Sequence, residues 1–454
     1  MRILIAGAGR VGLALARYLR SENHDIVLLD EVPERLKDIE DKIDIQTVLG
    51  SATSPSVLKS AGAENADIFL AVTDFDEVNI VSSLIAKTLF HIPKRIVRLG
   101  TPDYLDKKYE AFLKSLAIEV VLSPEEETAR QTIQMLGVTG ATDVAYLADG
   151  QIAFVCLQCL KKSFLNTLTE ESLQKITTGT EFKLLAVRRR GKVLFHPGTI
   201  SAGDEVFFTV KTSELEGILQ TLGYQYLPLK SVVILGGGKV GRSLAKKLEE
   251  SGVKGVTLIE KNKRVAISLA SELEKTLIIE GDGLDEALQE EIDLPTYQFA
   301  VSTTRSDENN VLFSLVATRL GVQRTCAVVR HPVYGTLLSG LGIDATVDPS
   351  ATMVSAVLKH VRKGWVKNDY FIQSGLGEIL EIEVLRTARI TEKPLKSIRF
   401  PEGVQLVAAL RGGKILNLTP KTVLEPKDIA IVFVQQGKAS ILEKYFSVSF
   451  SFFK

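Results

Sequence analysis

The sequence predicts an α/β protein made of two parallel-sheet domains, each followed by a small α+β module. Three observations carry that expectation. Short apolar strands alternate with helical runs over residues 1–123 and again over 231–348, the pattern of successive βαβ units. In both stretches a turn of the form G-x-G-x-x-G joins the first strand to the first helix. Residues 140–224 and 368–450 instead carry short strand-like runs broken by glycine and proline turns.

The opening elements set the frame. Met1 to Ala6 is rich in branched apolar residues and reads as a buried strand. Gly7-Ala8-Gly9-Arg10-Val11-Gly12 follows, then helical spacing over Leu13 to Leu19, then an apolar run from His24 to Leu29 that ends in Asp30. Gly7 allows the tight turn, Gly9 lets a pyrophosphate approach the backbone, and Gly12 lets helix and strand pack closely. The helix N-terminus offers free N–H groups to phosphate. Asp30 is placed to accept hydrogen bonds from a ribose 2′-OH and would repel a 2′-phosphate, which favours NAD(H) over NADP(H). Strand, glycine turn, helix and acid together define a Rossmann-like dinucleotide fold.

The same set recurs. Ser231 to Leu235 is the strand, Gly236-Gly237-Gly238-Lys239-Val240-Gly241 the turn, and Val256 to Ile259 the second strand, ending in Glu260. Val48 to Ala52 matches Ile279 to Gly283, and Ile68 to Thr73 with Asp76-Glu77-Val78-Asn79 matches Phe299 to Thr304 with Asp307-Glu308-Asn309-Asn310. Fifth strands end in Val97-Arg98 and Val329-Arg330, and sixth-strand signals lie at Ile118 to Val121 and Ile343 to Val347. Linking helices are expected at 124–139 and 349–367. In the first β-rich module Ile152 to Leu160, Lys183 to Arg188 and Asp204 to Val210 are strand-like. Glu378 to Val384, Gln405 to Leu410 and Asp428 to Val434 correspond in the second. A proline ahead of an acid marks the same turn in both, His196-Pro197 before Gly203-Asp204 and Thr419-Pro420 before Lys427-Asp428. A repeat longer than two hundred residues means duplicated domains rather than a solenoid.

Composition excludes several function classes. The 454 residues suit several domains, with 45% hydrophobic and 24% charged residues, as in ordinary soluble proteins. A formal net charge of +0 gives no global field for nucleic acid or an anionic membrane. Cys156, Cys159 and Cys326 cannot form a disulfide framework, which points to a reducing cytosol. No signal peptide is expected ahead of the first strand. No apolar run approaches the ~20 residues of a membrane helix, and the aromatic tail Phe446 to Phe453 suits docking or a last strand better than an anchor.

A catalytic centre is harder to find. The five histidines (His24, His91, His196, His331, His360) recur at no matching positions of the repeat. Tyr104 and Lys108 form a Y-x-x-x-K pair absent from the second half. The C-x-x-C of Cys156 and Cys159 lies on a strand-like run, whose positions i and i+3 point to opposite faces, and no second pair completes a zinc site. An NAD-dependent oxidoreductase and a duplicated scaffold with inactive cofactor sites remain the alternatives to a binding protein.

Gly7 to Gly12, Asp30, the stretch Ala71 to Asn79 and Val97-Arg98 resemble the RCK (KTN) family, and the two β modules resemble its C-terminal domain. The resemblance spans nearly the whole chain, in the order N-terminal domain 1–123, C-terminal domain 140–224, N-terminal domain 231–348, C-terminal domain 368–450. It implies a pyrophosphate at Gly7 to Val11, a ribose at Asp30, and Thr73, Asp74 and Arg98 lining the cleft. Gly236 to Val240, Glu260, Thr303 or Thr304, and Arg330 would match them in the second half. The Thr73 match is left open because the halves differ there by up to two residues. The resemblance further implies NAD(H) as ligand, with ATP or ADP as further ones, and no catalysis. It implies a homodimer or homotetramer ring and a cytoplasmic place on the inner face of the cell membrane, peripheral to an integral-membrane potassium transporter.

Overall fold

The computed structural model describes residues 1–454 except 38, 117, 332–340, 362–365, 373–374, 392 and 447–454. The tail strand considered above therefore lies outside the described residues beyond Phe446. The chain forms two compact units. One is Met1–Glu127 with Ser350–Phe371 and Gly437–Glu443, and the other is Thr128–Pro349 with Ile372–Gln436 and Lys444–Lys454.

In the first unit six strands form a parallel sheet: β1 (Arg2–Ala6), β2 (Asp25–Asp30), β3 (Gln46–Leu49), β4 (Ile68–Ala71), β5 (Lys94–Arg98) and β6 (Val120–Leu122), in the order β3-β2-β1-β4-β5-β6. Alternate residues of each strand point to opposite faces, so the sheet has two cores. Ile3, Ile5, Ile26, Leu28, Leu70 and Ile96 serve one face, and Leu4, Ala6, Val27, Leu29, Phe69 and Val97 the other. In register, Ala6 lies beside Leu29 on one side and Ala71 on the other. Residues following β1, β2 and β4 therefore converge where the strand order reverses, the place where open α/β sheets bind ligands.

One packing partner is not visible in the sequence pattern. The second linking helix, Pro349–Val361, belongs to the first unit, burying Met353, Val354, Val357 and Leu358 in the core that holds Leu15 and Leu19. The exchange is mutual. Ala129, Met135 and Leu136 of the first linking helix, Pro124–Leu136, join Val232, Ile234, Leu244 and Leu248 in the second unit's core. Each linking helix thus supplies apolar area to the other half's sheet.

The second unit holds three sheets. The first β module contributes β7 (Ala141–Leu147), β8 (Ile152–Gln158), β9 (Lys183–Arg189), β10 (Lys192–Leu194) and β11 (Glu205–Lys211), antiparallel in the order β10-β9-β11-β8-β7. The second parallel sheet is β12 (Ser231–Leu235), β13 (Gly255–Glu260), β14 (Leu277–Glu280), β15 (Phe299–Ser302), β16 (Arg324–Val328) and β17 (Ala345–Val347), in the order β14-β13-β12-β15-β16-β17. It repeats the first strand for strand. After β18 (Val366–Phe371) of the first unit, the second β module places β19 (Gly377–Glu383), β20 (Val404–Arg411), β21 (Lys414–Ile415) and β22 (Ile429–Gln435) in the second unit, in the order β19-β22-β20-β21.

The proline–acid turns of the two modules have a common cause. Arg189 of β9 holds both oxygens of Asp204 (Nε to Oδ1 2.9 Å, Nη2 to Oδ2 2.6 Å), and Asp204 also accepts from Ser201 N. Arg411 of β20 holds Asp428 the same way (2.9 and 2.9 Å), and Asp428 accepts from Glu425 N. Both acids are 2% exposed. Each pair ties a strand to the turn that feeds its antiparallel neighbour in the sheet, β11 beside β9 and β22 beside β20. Arg189→Ala leaves Asp204 buried without its cation. The arginine is itself about a third exposed, which tempers the cost, and a loss of about 2 kcal/mol is expected in urea denaturation. Arg189→Lys should recover only part of it, because the forked geometry goes.

Candidate nucleotide clefts

Each glycine of the first loop has a distinct place. Gly7 has φ +110, a left-handed-side conformation that L side chains rarely adopt. A Cβ added at Gly12 would lie 1.8 Å from the Gly7 carbonyl oxygen, so helix Arg10–Ser21 can approach the loop only without a side chain there. A Cβ at Gly9 would meet nothing within 4 Å. Two glycines are thus required by the protein's own packing, and the middle one faces open space. The second loop repeats this: Gly236 has φ +100, a Cβ at Gly241 would lie 1.9 Å from the Gly236 oxygen, and Gly238 meets nothing.

Gly9 and Gly238 are the N-caps of their helices and offer no capping side chain, so first-turn N–H groups point into each cleft without that partner. Gly237 replaces Ala8 for a local reason. Its Cβ would lie 2.4 Å from Leu269 Cδ1, whose methyl occupies that space.

The acids that end the second strands hold the loops. Asp30 is 5% exposed; its Oδ2 accepts from Ala8 N at 2.7 Å, its Oδ1 from Val32 N at 2.9 Å, and Arg35 Nη1 lies 3.4 Å from Oδ2. Glu260 accepts from Gly237 N and Asn262 N, both at 2.7 Å. A carboxylate offers about four acceptor positions, so two backbone bonds leave capacity for ribose hydroxyls. Beyond Glu260, the Lys261 ammonium bonded at 2.8 Å holds the Asp282 carboxyl below its ordinary range.

At the other side of each cleft a buried asparagine organises the end of the fourth strand. Asn79 Oδ1 accepts from Thr73 N (3.0 Å) and Thr73 Oγ1 (2.7 Å), while its Nδ2 donates to Thr73 O (3.0 Å) and Arg98 O (2.9 Å). Asn310 repeats all four bonds, with Thr304 N, Thr304 Oγ1, Thr304 O and Val328 O at 2.9, 2.6, 3.1 and 2.7 Å. The geometry makes Thr304 the equivalent of Thr73. Thr303 is 3% exposed and lies beneath the loop, donating to Gly236 O at 2.9 Å. Arg98 Nη1 reaches Thr73 O (3.1 Å) and Asp74 Oδ1 (2.7 Å), and Arg330 Nη1 reaches Thr304 O (2.9 Å) and Asp307 Oδ1 (3.3 Å).

The structure thus gathers Gly7 to Gly12, Asp30, Thr73, Asp74 and Arg98 at one strand edge, and Gly236 to Gly241, Glu260, Thr304 and Arg330 at another, with Thr303 behind. Sequence reasoning assigned no role to Asn79, Asn310, Asp76 or Asp307. Asp76 accepts from Gly100 N and Thr101 N, and Asp307 from Arg330 N and His331 N, closing the loop after the fifth strand in each half. Their signal was the D-E-x-N recurrence itself. Cys156 and Cys159 are free and buried, and burial pushes both thiols up, away from reactive thiolates. Among the described residues no group of three or more His, Cys, Asp or Glu is placed to hold a metal, and no helix is long and apolar enough to cross a membrane.

Fold and clefts define a duplicated, RCK-type nucleotide-fold protein. The TrkA-N domain model matches residues 3–124 and 232–349, and the TrkA-C domain model residues 379–447. The Trk system potassium uptake protein TrkA of Haemophilus influenzae is 33% identical over 99% of both chains, and that of Azorhizobium caulinodans 31% identical over 100% of both. The chain belongs to this TrkA family of Trk potassium uptake proteins. Among solved structures, the GsuK RCK domain superposes with a TM-score of 0.58 at 17% identity, covering 98% of this chain and 94% of that one. The GsuK channel bound to NAD gives 0.59 at 18%, covering 98% and 79%. These likenesses establish the shared fold.

Proposed function

We propose that the chain is the cytosolic nucleotide-binding subunit that gates a Trk-type membrane potassium transporter, with NAD(H) or an adenine nucleotide as signal rather than reactant. The observation that carries this is the doubled loop in which the middle glycine alone faces open space, beside an uncapped helix N-terminus and a carboxylate. Gly7 to Gly12 and Gly236 to Gly241 hold phosphates, Asp30 and Glu260 the ribose, and Thr73, Asp74, Arg98, Thr304 and Arg330 the far side of each cleft; Thr303 supports its loop. A nucleotide shifts the conformational equilibrium by its differential affinity for two states. Copies of the chain, as a homodimer or homotetramer ring on the inner face of the membrane, pass that shift to the pore. The potassium uptake role named for the relatives supports the transporter partner, and the NAD-bound GsuK channel supports the ligand class.

The test is potassium flux by the chain reconstituted with its transporter in vesicles, with and without NADH, NAD, ATP and ADP. Nucleotide-dependent flux is expected, with Asp30→Asn lowering affinity at the first cleft by roughly tenfold or more, the value of a charged hydrogen bond. Flux indifferent to every nucleotide, or steady turnover of NADH with a small substrate, would overturn the reading.

A further inference from the structure

Within the second unit the two β modules share a seam. Ala148 N donates to Glu381 Oε1 at 2.8 Å, and Gln151 Nε2 to Gly413 O at 2.8 Å. β20 carries a bulge between Leu406 and Ala408, which takes backbone groups there out of the ladder. The Lys183 ammonium meets those groups from the other module, donating to Leu406 O at 2.7 Å and to Val407 O at 3.3 Å. Beside this clamp the seam opens into a cavity of about 480 Å³, a size that suits a small molecule.

The cavity is aromatic, and its rings are braced. Phe182, Phe195, Phe400 and Phe433 line it. Phe182 packs on Phe208 and Phe400 on Tyr445, each with ring centroids 5.0 Å apart, and Phe195 lies 6.4 Å from Phe433. Rings held this way have little side-chain entropy left to lose on binding. Among the described residues the charged lining is Glu170, Glu402 and Lys183, and the lysine already serves two carbonyls. His196, 88% exposed, stands 3.6 Å from Glu170. The excess of carboxylate repels phosphates and other anions, while carboxylates and the electron-rich faces of phenylalanine both attract cations. A bare metal ion needs a shell of oxygens, which phenylalanine walls do not supply. We propose that this seam pocket binds a small organic cation of the alkylated-ammonium class, its apolar groups against Phe195 and Phe433 and its charge toward Glu170 and Glu402. The site is separate from the two glycine-loop clefts and stands whether or not they bind. Its ligand touches both modules at once and so favours the arrangement in which the Lys183 clamp is closed.

The test titrates the full-length chain with choline by calorimetry, using the uncharged tert-butyl analogue of choline as control. Choline is expected to bind, and the neutral analogue at least about tenfold more weakly, because only the charge draws on the rings and carboxylates. Tetramethylammonium should displace choline. Phe195→Leu keeps an apolar wall and loses the ring, and Glu402→Gln keeps the shape and loses the charge. Each is expected to weaken choline about fivefold. Glu402 is exposed, so its substitution leaves the fold intact and tests the site even where Phe195→Leu disturbs packing. Equal binding of choline and its neutral analogue overturns the proposal, as does choline affinity unmoved by both substitutions. Displacement of choline by inorganic phosphate or by magnesium rather than by tetramethylammonium overturns it too, and so does a chain that binds no choline.

Discussion

Gly12→Ala is expected to unseat the first helix and abolish nucleotide binding at the first cleft. The added Cβ would lie 1.8 Å from the Gly7 carbonyl oxygen and 3.4 Å from Val72 Cγ2. The nearer obstacle is backbone, so no rotamer change relieves it, and the loop or the helix must move. Overpacking of this kind costs about 3 kcal/mol or more. Gly9→Ala is the matched contrast. Its Cβ meets nothing within 4 Å, so urea denaturation should place its stability within roughly 0.5 kcal/mol of the parent. Under the proposed function its methyl nonetheless occupies the space where a pyrophosphate would approach the amides, and affinity should fall on the order of 100-fold, roughly 2.7 kcal/mol. Equal loss of stability in the two variants would refute the assignment of packing to one glycine and binding to the other.

Asn79→Ala is expected to cost about 3–4 kcal/mol, since it removes four hydrogen bonds from a site with no exposed surface. The Thr73 amide and the Arg98 carbonyl lose their asparagine partners there, and the penalty for an unmet buried group exceeds the value of the bond. Hydrogen exchange should show faster exchange at the ends of β4 and β5. Nucleotide affinity should fall with it, because Thr73 and Arg98 flank the cleft. Asn79→Asp should not rescue. A carboxylate can accept from Thr73 but sets negative charge against the two carbonyls that the amide satisfied. A variant as stable as the parent would show that the network is dispensable.

Much of this was legible because the chemistry is local. A strand, three glycines, a helix and an acid occupy some thirty consecutive residues, and only a few backbone conformations join them. Their recurrence at Gly236 and Glu260 made the duplication plain, and periodicity placed the twelve parallel strands. The edge strands β10 and β21 were missed, being three and two residues long, too short for alternation to register. β7 and β18 were missed although they are longer, since Ala141 and Thr142 weaken the apolar pattern of one and Lys367, Asn368 and Asp369 that of the other, whose first residues the sequence assigned to the linking helix 349–367.

What the sequence by itself determined is the glycine loops, the acids after them, and the doubled architecture, because each depends on residues near one another in the chain. Only the tertiary structure decided that Thr304 rather than Thr303 stands for Thr73, since both are threonines and only hydrogen bonding to Asn310 separates them. It likewise decided that Asp30 and Glu260 brace the loops they follow. The exchange of linking helices was its most distant decision. An amphipathic helix records in its sequence that one face must be buried, but the sheet it covers can be any that offers a matching apolar surface, and nothing local to Met353 or Val357 names Leu15.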